Sequence, residues 1–176
     1  MAKPISTSRR GAALPKTTLG KKRAQSYTYN RRLLEAVSLV QRRGGSDSRM
    51  WVSNNCLRFT SLCPVTGQPD WASVYINYVP ERQLVESKSL KEYLGSFRMH
   101  GDFHEDVCRI ICDDLVACIA PRYLEVVGCF DSRGSIAIWP YVQFAAEGDG
   151  EMQRLKEYRF LNYGPGKYAT PRLAAL

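Results

Sequence analysis

The order in which strand-like and helix-like patterns follow one another most constrains the fold of this chain. Residues 71–79 alternate apolar and polar side chains, which is typical of a half-buried strand, and residues 56–62 can form its hairpin partner. Two further β-rich segments, residues 123–130 and 136–144, are separated by a turn sequence at 131–134. The sequence therefore predicts two hairpins that are far apart along the chain.

Two helical patterns lie between these hairpins. In residues 87–99 the apolar side chains recur at helical spacing, at Leu90, Tyr93, Leu94 and Phe97. A second helix is predicted between a cap at Asp102 and Pro121, with a buried face formed by Phe103, Val107, Ile110, Ile111, Leu115 and Ile119. The order β-β-α-α-β-β predicts an α+β fold, in which one antiparallel sheet carries the helix pair on one face. Such a sheet has two open edges, so we expect a homo-oligomer.

The positive charge of the chain is concentrated at its N-terminal end. The formal net charge is +8, yet residues 1–50 hold 12 of the 25 Lys and Arg residues and two of the 17 acids. Few large apolar side chains occur before residue 31, so we expect residues 1–50 to be a basic, mostly disordered arm with a short helix over 31–42. Residues 51–176 are expected to form a single domain. The arm is open to three interpretations: a solvated tail, a transit peptide, or a segment that binds RNA or polyphosphate.

The distribution of apolar residues and cysteines argues against several classes of protein. No apolar run approaches the ~18 residues of a membrane span, and no early apolar segment resembles a signal peptide. We therefore expect a cytoplasmic protein whose six cysteines are thiols. No C-x-x-C pair occurs, and His100 and His104 lie one turn apart without the Glu between them that the zinc-protease motif requires, so no metal site is predicted.

Cys63 lies in a segment rich in Pro and Gly, FTSLCPVTGQPD, which spans residues 59–70. A loop cysteine is more exposed than one in a strand or helix, and exposure favours a nucleophilic thiolate. A turn through Gly67 could return the carboxyl group of Asp70 towards the sulfur. The alternative interpretation is a small buried side chain at the end of a strand.

The starts of the two predicted helices form a second group of candidates. Residues 85–91, VESKSLK, open the first helix, whose free backbone N–H groups and positive dipole end favour an anion. Lys88 and Lys91 are three residues apart and so share a face beside this end, although two solvated lysines would have the same spacing. His104 and Glu105 begin the second helix, where Glu is favoured by the helix dipole alone.

Three segments resemble one known family: residues 59–70, 86–93 (ESKSLKEY) and 96–106 (SFRMHGDFHED). They are similar to the short, single-module form of the NADPH-dependent 7-cyano-7-deazaguanine reductases, the nitrile reductases of queuosine biosynthesis, which is a pathway of tRNA modification. The similarity covers about residues 53–163. It implies the tunnelling fold, whose element order is also β-β-α-α-β-β, and reduction of the nitrile to the amine of 7-aminomethyl-7-deazaguanine.

The resemblance also implies roles for individual residues. Cys63 matches the nucleophile that attacks the nitrile carbon to give a covalent thioimide, and Asp70 matches the proton donor, with His104 beside the reacting group. The other matched positions contact the substrate, at Val85, Glu86, Ser87, His104 and Glu105, or the cofactor NADPH, at Lys88, Ser89 and Lys91. The family's sites form between subunits of a decamer of stacked rings. Its substrate is a free base, so nucleic acid is not required.

One departure from the family and two alternatives stay open at this point. Glu92 replaces the usual Leu or Tyr beside the cofactor motif, and its position about 100° around the helix from Lys91 predicts that it points to solvent. An amidine-forming relative shares the nucleophile and the acid but adds ammonia without NADPH. A nucleic-acid-binding module acting through residues 1–50 is the third possibility, and it predicts a steep salt dependence of binding.

Overall fold

A computed structural model describes residues 27–39 and 49–164 of the 176-residue chain. Its strands and helices are β1 (Ala36–Ser38), β2 (Val52–Leu62), β3 (Pro69–Val79), β4 (Gln83–Val85), α1 (Ser87–Ser96), α2 (His104–Ile119), β5 (Tyr123–Phe130), β6 (Tyr141–Ala145) and α3 (Gly150–Leu161). Short 3-10 helices cover Arg31–Leu33 and Phe97–Met99. No helix within the described residues is both long and apolar enough to cross a membrane.

The main sheet is antiparallel throughout, with the strand order β2-β3-β5-β6. On one face, alternate residues of β3 and β5 lie opposite one another, from Ala72 against Phe130 to Tyr78 against Leu124. These side chains pack with the apolar faces of α1 and α2 in one buried core. The predicted α+β architecture, with one antiparallel sheet and a helix pair on one face, is therefore confirmed.

The opposite face of the sheet is partly covered by α3, which sequence analysis did not predict. Met152 of α3 packs against Tyr123 of β5 and Ala145 of β6. Asp149 caps this helix by accepting a hydrogen bond from the backbone N–H of Met152 at 3.2 Å. Met152 is the one buried residue of α3, so the helix lacks the wide apolar stripe by which periodicity is recognised.

The predicted helix over 31–42 is wrong for the part of it that the structure describes. Arg31–Leu33 is a single 3-10 turn, and β1 then pairs antiparallel with β4. Residues 27–39, which we call the N-terminal strap, pack on the domain: Leu33 is buried, and the Tyr29 hydroxyl donates to Asp114 at 2.7 Å. Backbone pairing with β4 outweighs the local helical spacing. The disorder predicted for residues 1–26 and 40–48 falls outside the described residues.

Two predicted boundaries also differ from the structure. The last strand begins at Tyr141 rather than at residue 136, because residues 131–140 form a loop. The second helix begins at His104, with Phe103 instead of Asp102 at its N-cap, and Phe103 is 54% exposed rather than buried. The Asp102 carboxylate accepts the neighbouring N–H of Phe103 at 3.1 Å and lies 3.3 Å from His100 Nε2.

Candidate active site

The loop between β2 and β3 holds Cys63 in a tight turn. The Cys63 N–H donates to the Gln68 carbonyl at 2.8 Å, and the Gly67 N–H donates to the Cys63 carbonyl at 2.9 Å. Gly67 has a φ of +68°, a conformation that glycine adopts without strain. Cys63 itself is 6% exposed. The loop therefore encloses the sulfur, in contrast to the exposed cysteine expected from the sequence.

Hydrogen-bond donors around this sulfur favour its ionised form. The Thr66 hydroxyl contributes most, followed by the backbone N–H groups of Thr66 and Val65 and by the Arg133 guanidinium; together they lower the pKa of Cys63 from about 9 to about 6. Thr66 Oγ1 accepts the Gln68 N–H at 3.3 Å, which leaves the hydroxyl proton free to point at the sulfur. Cys63 is therefore largely a thiolate at neutral pH.

Asp70 and His104 lie together beneath this loop. Asp70 is the second residue of β3 and His104 the first residue of α2, and each is 3% exposed. His104 Nε2 lies 3.2 Å from Asp70 Oδ2, and the imidazole ring stacks on Phe130 at a centroid distance of 3.9 Å. Within the described part of the chain, His104 Nδ1 has no hydrogen-bond partner. The structure thus brings an acid–base pair together from two elements 34 residues apart in sequence.

Arg133 joins this group from the loop after β5. Its Nε lies 3.0 Å from Asp70 Oδ1, and one terminal nitrogen lies 3.3 Å from His104 Nε2. In the sequence, Arg133 is recognisable only as part of the turn at 131–134. An arginine in a turn is ordinarily solvated, and no spacing rule connects it to residues 63, 70 and 104, so the sequence held no local signal for its position.

The start of α1 differs from the predicted anion site. The Glu86 carboxylate caps the helix, accepting the N–H of Lys88 at 3.0 Å and the N–H of Ser89 at 2.7 Å. The prediction that these N–H groups are free is therefore wrong, because the Glu86 carboxylate of the chain itself occupies them. The Ser89 hydroxyl is fully buried and donates to the Glu86 carbonyl at 2.8 Å, while it accepts the Glu35 N–H of the strap at 3.0 Å. Ser89 therefore holds the strap to α1.

The other predicted site residues differ in how exposed their side chains are. Val85 and Glu86 are buried, Lys88 is half-buried, and Ser87, Lys91 and Glu105 are exposed. The prediction that Glu92 points to solvent is wrong, because Glu92 is 7% exposed. Six of the ten residues of α1 are buried, so the helix is covered on more than the one face that its apolar stripe indicates.

A groove of about 630 Å³ runs between β2 and α1. Three cationic side chains line it, Arg58 from β2, Lys91 from α1 and Arg98 from the following 3-10 helix, and no acidic residue is among its described lining. Arg58 falls where β2 shifts register against β3, between Cys56 and Phe59. Such a bulge redirects side chains. The groove is suited to an anionic ligand.

No group of three or more His, Cys, Asp or Glu side chains in residues 27–39 and 49–164 is arranged to hold a metal ion. The chemistry that the site offers rests on a thiolate, a carboxylate, an imidazole and a guanidinium.

Comparison with known proteins identifies relatives of this chain. A family model described as QueF-like protein matches residues 69–149. A protein of Bdellovibrio bacteriovorus named NADPH-dependent 7-cyano-7-deazaguanine reductase is 55% identical over 119 residues, which cover 68% of this chain and 69% of that protein. A protein of the same name from Bacteroides thetaiotaomicron is 44% identical over 144 residues, covering 82% and 92%.

A solved structure also shares the fold. The crystal structure of the archaeosine synthase QueF-Like in the apo form aligns with a TM-score of 0.50 and 19% identity, over 58% of this chain and 98% of that one. This likeness concerns the fold alone, and it agrees with the tunnelling fold implied by the three sequence motifs. The sequence identities above confirm the resemblance: the chain belongs to the family of NADPH-dependent 7-cyano-7-deazaguanine reductases.

Proposed function

We propose that this protein reduces the nitrile of 7-cyano-7-deazaguanine to the primary amine of 7-aminomethyl-7-deazaguanine, with NADPH as cofactor, in queuosine biosynthesis. The observation that carries the proposal is the position of Cys63, a cysteine with a pKa of about 6, in the same cluster as the buried Asp70 and His104. A nitrile is a modest electrophile, so its activation calls for both a thiolate and a placed acid.

The first chemical step forms a covalent thioimide on Cys63. The sulfur attacks the nitrile carbon, a carbon–sulfur bond forms, and one electron pair of the triple bond moves to nitrogen. Because Cys63 attacks as the thiolate, the nitrogen takes its proton from Asp70 in the acid form. The proton that Cys63 released on ionising replaces the one that Asp70 gives up, so the net addition of the thiol is balanced. His104 Nε2, 3.2 Å from Asp70 Oδ2, orients the carboxyl group and can exchange a proton with it.

The groove between β2 and α1 is the proposed cofactor site. Its cations Lys91, Arg58 and Arg98 suit the phosphates of a dinucleotide, and no carboxylate of its described lining opposes them. Lys88 lies one turn before Lys91 and completes the cationic side of α1. Bound NADPH supplies hydride, and conversion of a nitrile to a primary amine requires two such equivalents.

Substrate recognition is assigned to the residues around the two helix starts. Glu105 follows His104 on the first turn of α2, and its exposed carboxylate can accept the N–H groups of the deazaguanine edge. Val85, Glu86 and Ser87 form the second contact stretch. The four-stranded sheet ends in the open edge strands β2 and β6. A second subunit can pair with or cover these edges, which supports a homo-oligomeric ring. The substrate is a free base, so the reaction needs no nucleic acid.

The test is an assay of NADPH oxidation with 7-cyano-7-deazaguanine under reducing conditions, combined with intact-protein mass spectrometry. We expect two NADPH molecules to be consumed per nitrile, and a covalent adduct when NADPH is omitted. Cys63→Ala should abolish both signals in a protein that still folds. An adduct on Cys63 without NADPH oxidation would instead favour the amidine-forming chemistry, and the absence of both signals would overturn the proposal.

The cofactor site has its own test. Lys91→Ala should raise the Michaelis constant for NADPH by about tenfold, and Lys91→Ala combined with Lys88→Ala by about 100-fold, because each lost charge-assisted hydrogen bond is worth roughly 1.5 kcal/mol. The Michaelis constant for the nitrile should change little. Arg154→Ala, an exposed site on α3, is the matched control. An equal rise for both substrates would mean that the groove does not hold the cofactor.

A further inference from the structure

We propose that Arg133 is a positioning residue that holds Cys63, Asp70 and His104 in one cluster. Its guanidinium stabilises the Cys63 thiolate and keeps the Asp70 carboxyl group in place beside it. The part of this inference that concerns the nitrile rests on the proposed function, whereas the part that concerns the thiolate does not. Arg133 comes from the β5–β6 loop, which none of the sequence motifs includes.

The backbone around Arg133 presents its side chain from a tight turn. The Arg133 N–H donates to the Ile136 carbonyl at 3.0 Å, and the Ile136 N–H donates back to the Arg133 carbonyl at 3.1 Å. The two residues between them, Gly134 and Ser135, have φ values of +56° and +72°. Positive φ at both central positions is the signature of a type I′ hairpin turn. Ser135 therefore carries backbone strain, of a kind that is commonly found at functional sites.

The guanidinium provides one positive charge where two acidic groups meet. It lies 3.0 Å from Asp70 Oδ1 and also donates to the Cys63 sulfur. A thiolate and a buried carboxylate close together repel each other, and each is costly to bury without a partner of opposite charge. Arg133 satisfies both with a single side chain, and its approach to His104 Nε2 at 3.3 Å restrains the imidazole as well.

The alignment of these contacts distinguishes Arg133 from an ordinary structural ion pair. Nitrogens lie 3.0 and 3.2 Å from the two oxygens of Asp70, yet within the described chain neither oxygen has a partner with hydrogen-bond geometry. Arg133 thus supplies charge to Asp70 without occupying its lone pairs. The carboxyl group is held in place and remains able to exchange a proton with a substrate.

The test compares Arg133→Ala with Thr66→Val, because Thr66 contacts the sulfur but has no described contact with Asp70 or His104. The first readout is the rate of Cys63 alkylation by iodoacetamide against pH, with the protein alone. We expect its midpoint near pH 6 in the wild type, because the hydrogen bonds to the sulfur lower the pKa of Cys63 to about 6. Both substitutions should move the midpoint upward, Arg133→Lys should restore part of the shift, and Arg109→Ala, an exposed residue of α2, should leave it unchanged.

The second readout is adduct formation with 7-cyano-7-deazaguanine at a pH above both midpoints, where every variant is ionised. Thr66→Val should then react at the wild-type rate. Arg133→Ala should stay about 100-fold slower, because Asp70 and His104 are no longer held against the thiolate. Circular dichroism and thermal unfolding establish that each variant is folded.

Two results would overturn the inference: an unchanged alkylation midpoint in Arg133→Ala, or full recovery of its adduct rate at high pH. Alkylation needs no nitrile, so the first readout decides the thiolate role even if the wild type fails to react with 7-cyano-7-deazaguanine. That failure would count against the proposed function, and the alkylation midpoint alone would then decide whether Arg133 stabilises the thiolate.

Discussion

Two carboxylates are buried on opposite faces of the same sheet, and their surroundings are very different. Glu125 of β5 is fully buried on the α3 face. Its two oxygens accept from Asn77 at 3.0 Å, Tyr123 at 2.7 Å, Tyr141 at 2.8 Å and Arg159 at 3.0 Å. Burial opposes ionisation of Glu125, but hydrogen bonds from Arg159, Tyr123 and Tyr141 hold its pKa below the ordinary value.

Asp70 lies on the other face, at the edge of the core that α1 and α2 cover. It is nearly as buried as Glu125 and also faces an arginine, yet no described hydrogen bond is aligned on either of its oxygens. Its neighbours are the Cys63 loop, His104 and the strained turn that carries Arg133. One of these neighbours, Cys63, has a thiol whose pKa is lowered by the hydrogen bonds around it.

The comparison separates two uses of a buried charge. A carboxylate whose lone pairs are all occupied fixes the elements around it, and Glu125 in this way ties α3 to the sheet through Arg159. A carboxylate that is held by charge alone keeps its lone pairs for a ligand. Burial by itself does not distinguish structural from reactive groups, whereas the completeness of their hydrogen bonds does.

The largest expected effect comes from Asp70→Asn, which removes the acid but keeps its size. Reduction of the nitrile should fall by about 100- to 10,000-fold, because a positioned general acid contributes that much to rate. The midpoint of unfolding should change less than in the corresponding Glu125 variant, since the ion pair that is lost involves a partly exposed Arg133 and no aligned hydrogen bond of the described structure is lost with it. A large loss of stability with activity intact would mean that Asp70 is a structural carboxylate and not a reactive one.

Glu125→Gln should show the opposite pattern. Loss of the negative charge leaves Arg159 facing a neutral amide and is expected to destabilise the fold by about 3 kcal/mol, as measured by urea unfolding, while folded protein keeps its activity. The wild-type contribution is present above the unfolded pKa of Glu and is lost as the pH falls through the lower folded value. The stability of the variant should therefore depend less on pH in that acidic range. Asp113→Asn, on the surface of α2, is a suitable control.

The smallest effect is a difference in cysteine reactivity between the edge of the core and its interior. Alkylation of Cys63 should reach half its plateau near pH 6 and fall about tenfold per pH unit below it. Cys112 of α2 is the internal control, because burial raises its pKa to about 12. Peptide mass spectrometry resolves the two sites, and equal labelling at pH 7 would mean that the Cys63 loop does not stabilise a thiolate.

Much of the fold was predictable because its signals are local. The alternation in β3, the helical stripe of α1 and the order of the elements follow from side chains close together in sequence. The N-terminal strap and α3 were missed for a shared reason. Each is held mainly by contacts with distant residues, through β4 and Ser89 for the strap and through Tyr123 and Glu125 for α3.

The candidate site was predictable in its residue types and less so in its geometry. Cys63, Asp70 and His104 lie in motifs that indicate chemistry, and the structure brings these three together. The anion site at α1 was wrong in one respect: spacing indicates a free helix start, but it does not reveal that Glu86 occupies the backbone N–H groups.

By itself, the sequence determined the class of fold, the family and the candidate site residues, since these depend on periodicity and on short motifs. Only the tertiary structure decided which polar groups are left incompletely bonded, that Glu92 is buried, and that Arg133 reaches Cys63, Asp70 and His104. The physical reason is that hydrogen-bond completeness and charge pairing depend on every neighbour in space. Periodicity and short motifs in the sequence indicate only the contacts that a residue makes within its own helix or strand.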